Sequence, residues 1–125
     1  MGTARNTTLR NSNPTSQMIE ATILSGASLS EWLDLGERRL SGLIMSADWT
    51  AAALSFDVSP DQGSTALPLF DENNAEVALT VAAARAHAFP ISRMIGWNYI
   101  RLRSGLSGAV VNQAADRLLR IMVEP

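Results

Sequence analysis

The chain has no cysteine and only one histidine. Disulfides, thiolate nucleophiles and cysteine-ligated zinc are therefore excluded. A hydrolytic triad needs a histidine beside a nucleophile, and His87 in "RAHAFP" has no such neighbour in the sequence, so it reads as a loop or strand-end residue. No run approaches the roughly 18 apolar residues that a membrane-spanning helix requires. The first residues also lack the basic-then-apolar layout of a signal peptide, so neither a membrane span nor secretion processing is expected. Lysine is absent as well, all ten basic residues being arginine. With a pI near 5.3 and no basic stripe, nucleic-acid binding is not expected. The glycines follow no phosphate-binding pattern. No cofactor is implied.

What remains is a chain of 125 residues, 46% hydrophobic and 18% charged, which suits one domain with a single core. Residues 1–17 are mostly Thr, Asn and Ser, and carry Arg5 and Arg10 with no acid. The other eight arginines face twelve acids in the rest of the chain. This composition predicts an extended N-terminal arm over 1–17 on an acidic body over 18–125. Arg5, Leu9 and Arg10 are the arm's candidate partner contacts, docking on an acidic neighbour.

From Met18 onward, short alternating segments are punctuated by Gly, Pro, Asp, Asn or Ser, the pattern of strands with one buried face. The inward sets are Ile19, Ala21 and Ile23; Leu54, Phe56 and Val58; Val77, Leu79 and Val81; Ile100 and Leu102; and Leu119, Ile121 and Val123. Residues 38–46, "RRLSGLIMS", give another strand, in which Gly42 marks a bulge or a close backbone approach. The other face of the last strand, with Leu118, Arg120 and Met122, is expected to be partly covered. Turns are expected at Gly26, Gly36, 60–63, 71–74, Gly96 and 105–108. The alanine-rich "DWTAAAL" and "TVAAARAHAF" allow at most a turn or two of helix. About eight strands point to an all-β, antiparallel, jelly-roll-like sandwich.

Each candidate site has an ordinary structural explanation. Asp71, Glu72, Asn73 and Asn74 could ligate calcium, but the EF-hand spacing is missing and a polar hairpin turn explains them. Asp57, on the outward face of its strand, and Asp61, in a turn, read as solvated carboxylates. Trp32 and Trp49 read as core, closing the sandwich with Leu40, Ile44, Leu54 and Phe56. Trp97 and Tyr99 fit either packing or a sugar-stacking platform. Arg101 and Arg103 project from one face, either as ordinary solvated charges or as contacts to an acidic neighbour or sugar acid. A glycan site would thus combine Trp97, Tyr99, Arg101 and Arg103. No constellation supports catalysis or a metal.

The order "WLDLG", "RLSGLIMSADWTAAALSFDVSPDQG", "LFDENNAEVALTV", "YIRLRSG" and "QAADRLLRIMV" resembles small β-sandwich virion proteins of tailed bacteriophages and gene transfer agents. The resemblance implies that Asp34 to Gly36 close an early strand. It implies that Trp49, Ala52, Leu54, Phe56, Ser59 and Asp61 belong to a core strand, and that Arg103 to Gly105 start a hairpin. "LDLG" and "YIRLRS" also resemble discoidin-type galactose-binding jelly rolls, a likeness of fold. The expected function is therefore a non-enzymatic structural protein of a phage-like particle. Its place would be the capsid, as a decoration, head-spike or head-fibre protein, or alternatively the tail or baseplate. It would be assembled in the host cytoplasm and carried in the virion. The expected partners are other capsid or tail subunits and further copies of the chain. A free or particle-borne carbohydrate-binding module that recognises a host-surface glycan is the other reading.

Overall fold

A computed structural model describes residues 17–125. Within them the alternating segments form ten strands: β1 (Gln17–Ile23), β2 (Leu33–Asp34), β3 (Arg39–Ile44), β4 (Leu54–Val58), β5 (Leu67–Pro68), β6 (Ala78–Leu79), β7 (Ala86–Ala88), β8 (Tyr99–Leu106), β9 (Ala109–Val110) and β10 (Arg117–Glu124). The arm contacts Arg5, Leu9 and Arg10 lie outside the described residues, and Gln17 already belongs to β1.

One sheet runs β1-β10-β3-β7; the other runs β2-β8-β4-β5, with β6 also paired to β4 and β9 to β8. Every strand pair is antiparallel. Ala21, Ile23, Leu40, Leu43, Leu119, Ile121 and Val123 from the first sheet pack with Leu54, Phe56, Val58, Ile100 and Leu102 from the second in one buried cluster. The protein is an all-β sandwich. Each of the Val, Leu, Ile and Phe side chains contributes about 1.5–3 kcal/mol relative to exposure, so this cluster is the main source of cohesion.

β10 shows the period most cleanly, with Leu119, Ile121 and Val123 buried and Leu118 and Arg120 exposed. Met122, on that outer face, is half-buried opposite Gly42. β3 breaks the period. Val123 pairs with Leu40 but Met122 pairs with Gly42, so Ser41 is an extra residue, a β-bulge. Past it the inward positions become Leu43 and Met45. Ile44, read as core, is instead half-buried on the outer face. Gly42 fits this crowded spot because a Cβ there would sit 3.0 Å from the His87 carbonyl oxygen.

Neither alanine-rich segment is helical. Trp49 is buried and donates its Nε1–H to the Ala52 carbonyl at 3.1 Å, which pins the first as a loop. The second turns at Ala84 (φ +58°) and enters β7. A few tenths of a kcal/mol of helix preference per alanine is too little to outweigh strand pairing and core contacts. The one helical element among the described residues is a 3₁₀ turn, Ile91–Met94, which follows Pro90 and buries Met94. The "WLDLG" stop closes as expected, with the Gly36 N–H donating to Asp34 Oδ1 at 2.9 Å.

Candidate functional site

Alternation along β4 and β8 turns Ser55, Asp57, Tyr99, Arg101 and Arg103 away from the core. The antiparallel register then places Asp57 opposite Arg101 and Ser55 opposite Arg103. Arg101 donates through Nε to Asp57 Oδ2 at 2.9 Å, and its Nη2 lies 2.9 Å from the same oxygen. Arg103 Nη2 donates to Asp57 Oδ1. Arg103 Nη1 reaches the Ser55 hydroxyl at 3.2 Å and Glu76 Oε2 at 3.4 Å. Glu76 in turn accepts from the Ser107 amide and hydroxyl at 2.9 and 3.0 Å.

This arrangement corrects the solvated reading of Asp57 and Arg103, which are only 3% and 6% exposed. Two guanidiniums satisfy both carboxylate oxygens, so the charges tolerate burial that would otherwise be prohibitive. Trp32 is likewise not a core residue. Its ring stacks on Tyr99 at 5.4 Å between centroids, and the Arg101 guanidinium lies 4.6 Å over it. A Cβ at Gly63 would come within 3.2 Å of the Trp32 ring, so the 59–65 turn packs over the pair.

That turn is held by Asp61. Its carboxylate accepts from the Thr65 amide and hydroxyl, each at 2.7 Å, and from the Ser59 hydroxyl at 2.8 Å. These bonds, the Thr65 hydroxyl foremost, hold its pKa below the ordinary 3.8. Asp71 and Asp48 are lowered as well, chiefly by the Ala75 amide and the Ser46 hydroxyl. In each case the folded-state pKa lies below the unfolded value. The stabilisation is therefore complete above that value and is lost as pH falls through the folded pKa. The thermal midpoint should drop as pH is lowered past 3.8. Asp61→Asn should lower the neutral-pH midpoint and flatten this acid slope, which thermal melts across pH would read.

A second polar cluster closes one end of the sandwich around Gln113, which is 1% exposed. Its Oε1 accepts from the Thr50 amide at 2.9 Å and Arg117 Nε at 3.1 Å. Its Nε2 donates to the Thr50 carbonyl and the Ser104 hydroxyl. Arg117 also pairs with Asp48 at 2.8 Å. These groups are internal ties between loops and strands.

Among the four residues read as a glycan platform, Tyr99, Arg101 and Arg103 thus share one internally bonded face. Trp97 lies off this network. It is half-buried against the core and lines a cleft of about 450 Å³ with Phe70, Asp71, Glu72, Ser92 and Arg93. The 71–74 segment is the hairpin turn expected of it. Asp71 Oδ1 accepts from the Asn73 and Ala75 amides at 2.8 and 3.0 Å, and Asn74 takes φ +60°. His87 lies in β7 and accepts from the Ala82 amide through Nε2 at 3.2 Å. No trio of His, Asp or Glu side chains among the described residues is placed to hold a metal. No helix among them is long and apolar enough to cross a membrane.

Phe70 was not singled out from the sequence. It ends "LPLF" just before the polar turn, and nothing local pairs it with a tryptophan 27 positions later.

No family model and no curated protein matches the chain. Among solved structures, the crystal structure of the SPBc2 prophage-derived protein YomS is similar in fold. It aligns over 93% of this chain and 100% of its own, with a TM-score of 0.52 and 14% identity. The sandwich described above is therefore an architecture also used by a prophage-derived protein.

Proposed function

We propose that this chain is a non-enzymatic structural component of a tailed-phage-like particle. It would be capsid-associated, as a decoration, head-spike or head-fibre protein, and anchored through its N-terminal residues. The observation that carries this reading is the likeness in fold, over nearly the full length of both chains, to a prophage-derived protein. Two features of the site support it. The buried ionisable groups Asp57, Arg103 and Arg117 are bonded to one another or to neighbouring side chains, as in a scaffold. The sole histidine has a backbone amide as its partner.

Particles purified from the source organism's lysate on a density gradient should carry this chain at fixed stoichiometry to the major capsid protein, as measured by mass spectrometry. A high copy number would indicate decoration, and a low one a spike, tail or baseplate part. Absence from intact particles would overturn the proposal. Deleting residues 1–16 should leave a folded sandwich that no longer joins the particle.

A further inference from the structure

Two aromatic side chains, Trp97 and Phe70, flank the 450 Å³ cleft, and neither stacks on another ring among the described residues. By contrast, Trp32 and Tyr99 stack on each other, with Arg101 over Trp32. Phe70 is 43% exposed and lines the cleft together with Trp97, so part of its ring is open to a ligand there.

The polar side of the same cleft holds Asp71, Glu72, Ser92 and Arg93. None of the described ion pairs includes Glu72 or Arg93, although the Arg93 charge acts on the Asp71 carboxylate across the cleft. Asp71 is fixed in place by two turn amides. Trp97 is held by its backbone bond to Met94 at 3.0 Å and by its packing against the core. Arg93 sits on the 3₁₀ turn, its amide bonded to the Pro90 carbonyl. The volume lies within the range of about 300–1,000 Å³ typical of small-ligand sites.

Aromatic surface beside carboxylates and a guanidinium is a chemistry that matches a sugar ring. The apolar C–H face lies on the aromatics, hydroxyls donate to the carboxylates, and arginine donates to ring or hydroxyl oxygens. Two carboxylates against one guanidinium leave the cleft net negative, which disfavours sugar acids and phosphates.

We propose that the cleft between Phe70, Trp97 and the 71–72 carboxylates is a binding site for a neutral saccharide. Phe70 and Trp97 supply the stacking surface; Asp71, Glu72 and Arg93 grip the hydroxyls. The proposal does not depend on the particle assignment, since a free module would show the same binding.

The test is titration of the full chain with methyl β-galactoside, methyl α-glucoside, methyl α-mannoside and diacetylchitobiose, followed by saturation-transfer NMR and calorimetry. N-acetylneuraminic acid is the anionic control. At least one neutral glycoside should bind saturably and more tightly than the control. Phe70→Ala should weaken that binding about tenfold, a loss of 1.4 kcal/mol, and Glu72→Gln and Arg93→Ala should each weaken it severalfold. All three side chains line an open cleft at the surface, so the variants should fold, as an unchanged amide NMR spectrum outside the cleft would confirm. Tyr99→Ala should leave the affinity unchanged. The proposal is overturned if no neutral glycoside saturates, if the control binds more tightly, or if Tyr99→Ala and not Phe70→Ala abolishes binding.

Discussion

Gly105→Ala is expected to destabilise the fold by about 4 kcal/mol or more, in the range reserved for a few severe mechanisms. Gly105 lies inside β8 at φ +90°, where an L side chain adds about 1–3 kcal/mol of backbone strain. The larger effect is steric. A Cβ there would sit 2.5 Å from the Ala109 carbonyl oxygen, 2.7 Å from the Val111 nitrogen and 2.9 Å from the Val110 Cα. All three are backbone atoms of the returning hairpin, so no side-chain rotation relieves the clash and β9 must leave β8. Opening this hairpin also disturbs the bonds from the Gly105 amide to the Ala53 carbonyl and from the Ser55 hydroxyl to the Gly105 carbonyl. Gly108 is the internal control. Nothing lies within 4 Å of a Cβ at that position, and Gly108→Ala should change stability by no more than about 0.5 kcal/mol. Urea unfolding of both variants reads the difference. Equal midpoints would show that the hairpin can shift without harm.

Asp57→Ala should destabilise by about 3 kcal/mol, because removing one partner of a buried ion pair leaves an uncompensated charge behind. The loss falls mainly on Arg103, whose side chain is 7% exposed. Arg101 is 23% exposed and can turn toward water. Glu76 remains near Arg103 but at the longer 3.4 Å, so it compensates only in part. A second substitution separates this account from simple loss of packing. Arg103→Met in the Asp57→Ala background removes the stranded charge and should restore part of the lost stability. The double-mutant cycle should therefore show a coupling above about 1 kcal/mol. Additive effects would mean that the two residues act independently.

The sequence pattern made the inward faces legible where the side chains alternate strictly, as in β10 and in Leu54, Phe56 and Val58, although the other face of β4 is buried as well. It failed where that period breaks. Ser41 inserts one residue opposite β10, and Ile44 moved outward. Gly42 signalled an irregularity but not which neighbour was the extra residue. Trp32 failed for another reason. Leu33 and Leu35 are buried, so alternation turns Trp32 outward, whereas its size alone suggests the core. For Asp57 the alternation gives the right face but not the environment. Its burial depends on Arg101 and Arg103, more than forty residues away, and only the pairing register of β4 with β8 brings them together. The Phe70–Trp97 cleft is non-local in the same way, joining a hairpin turn to the end of a 3₁₀ turn.

The strand order of the first sheet also governs when this protein can fold. β10 lies between β1 and β3, and Gln17 pairs with Val123, so two of that sheet's three pairings need the same late segment. On the ribosome β1 has no strand to join until residues 117–124 have emerged. Until then Ala21, Ile23, Leu40 and Leu43 have no completed sheet to bury them. Folding of this sheet therefore waits for β10, and closing a loop of about a hundred residues places its rate in the slow range of milliseconds to seconds typical of non-local β topologies.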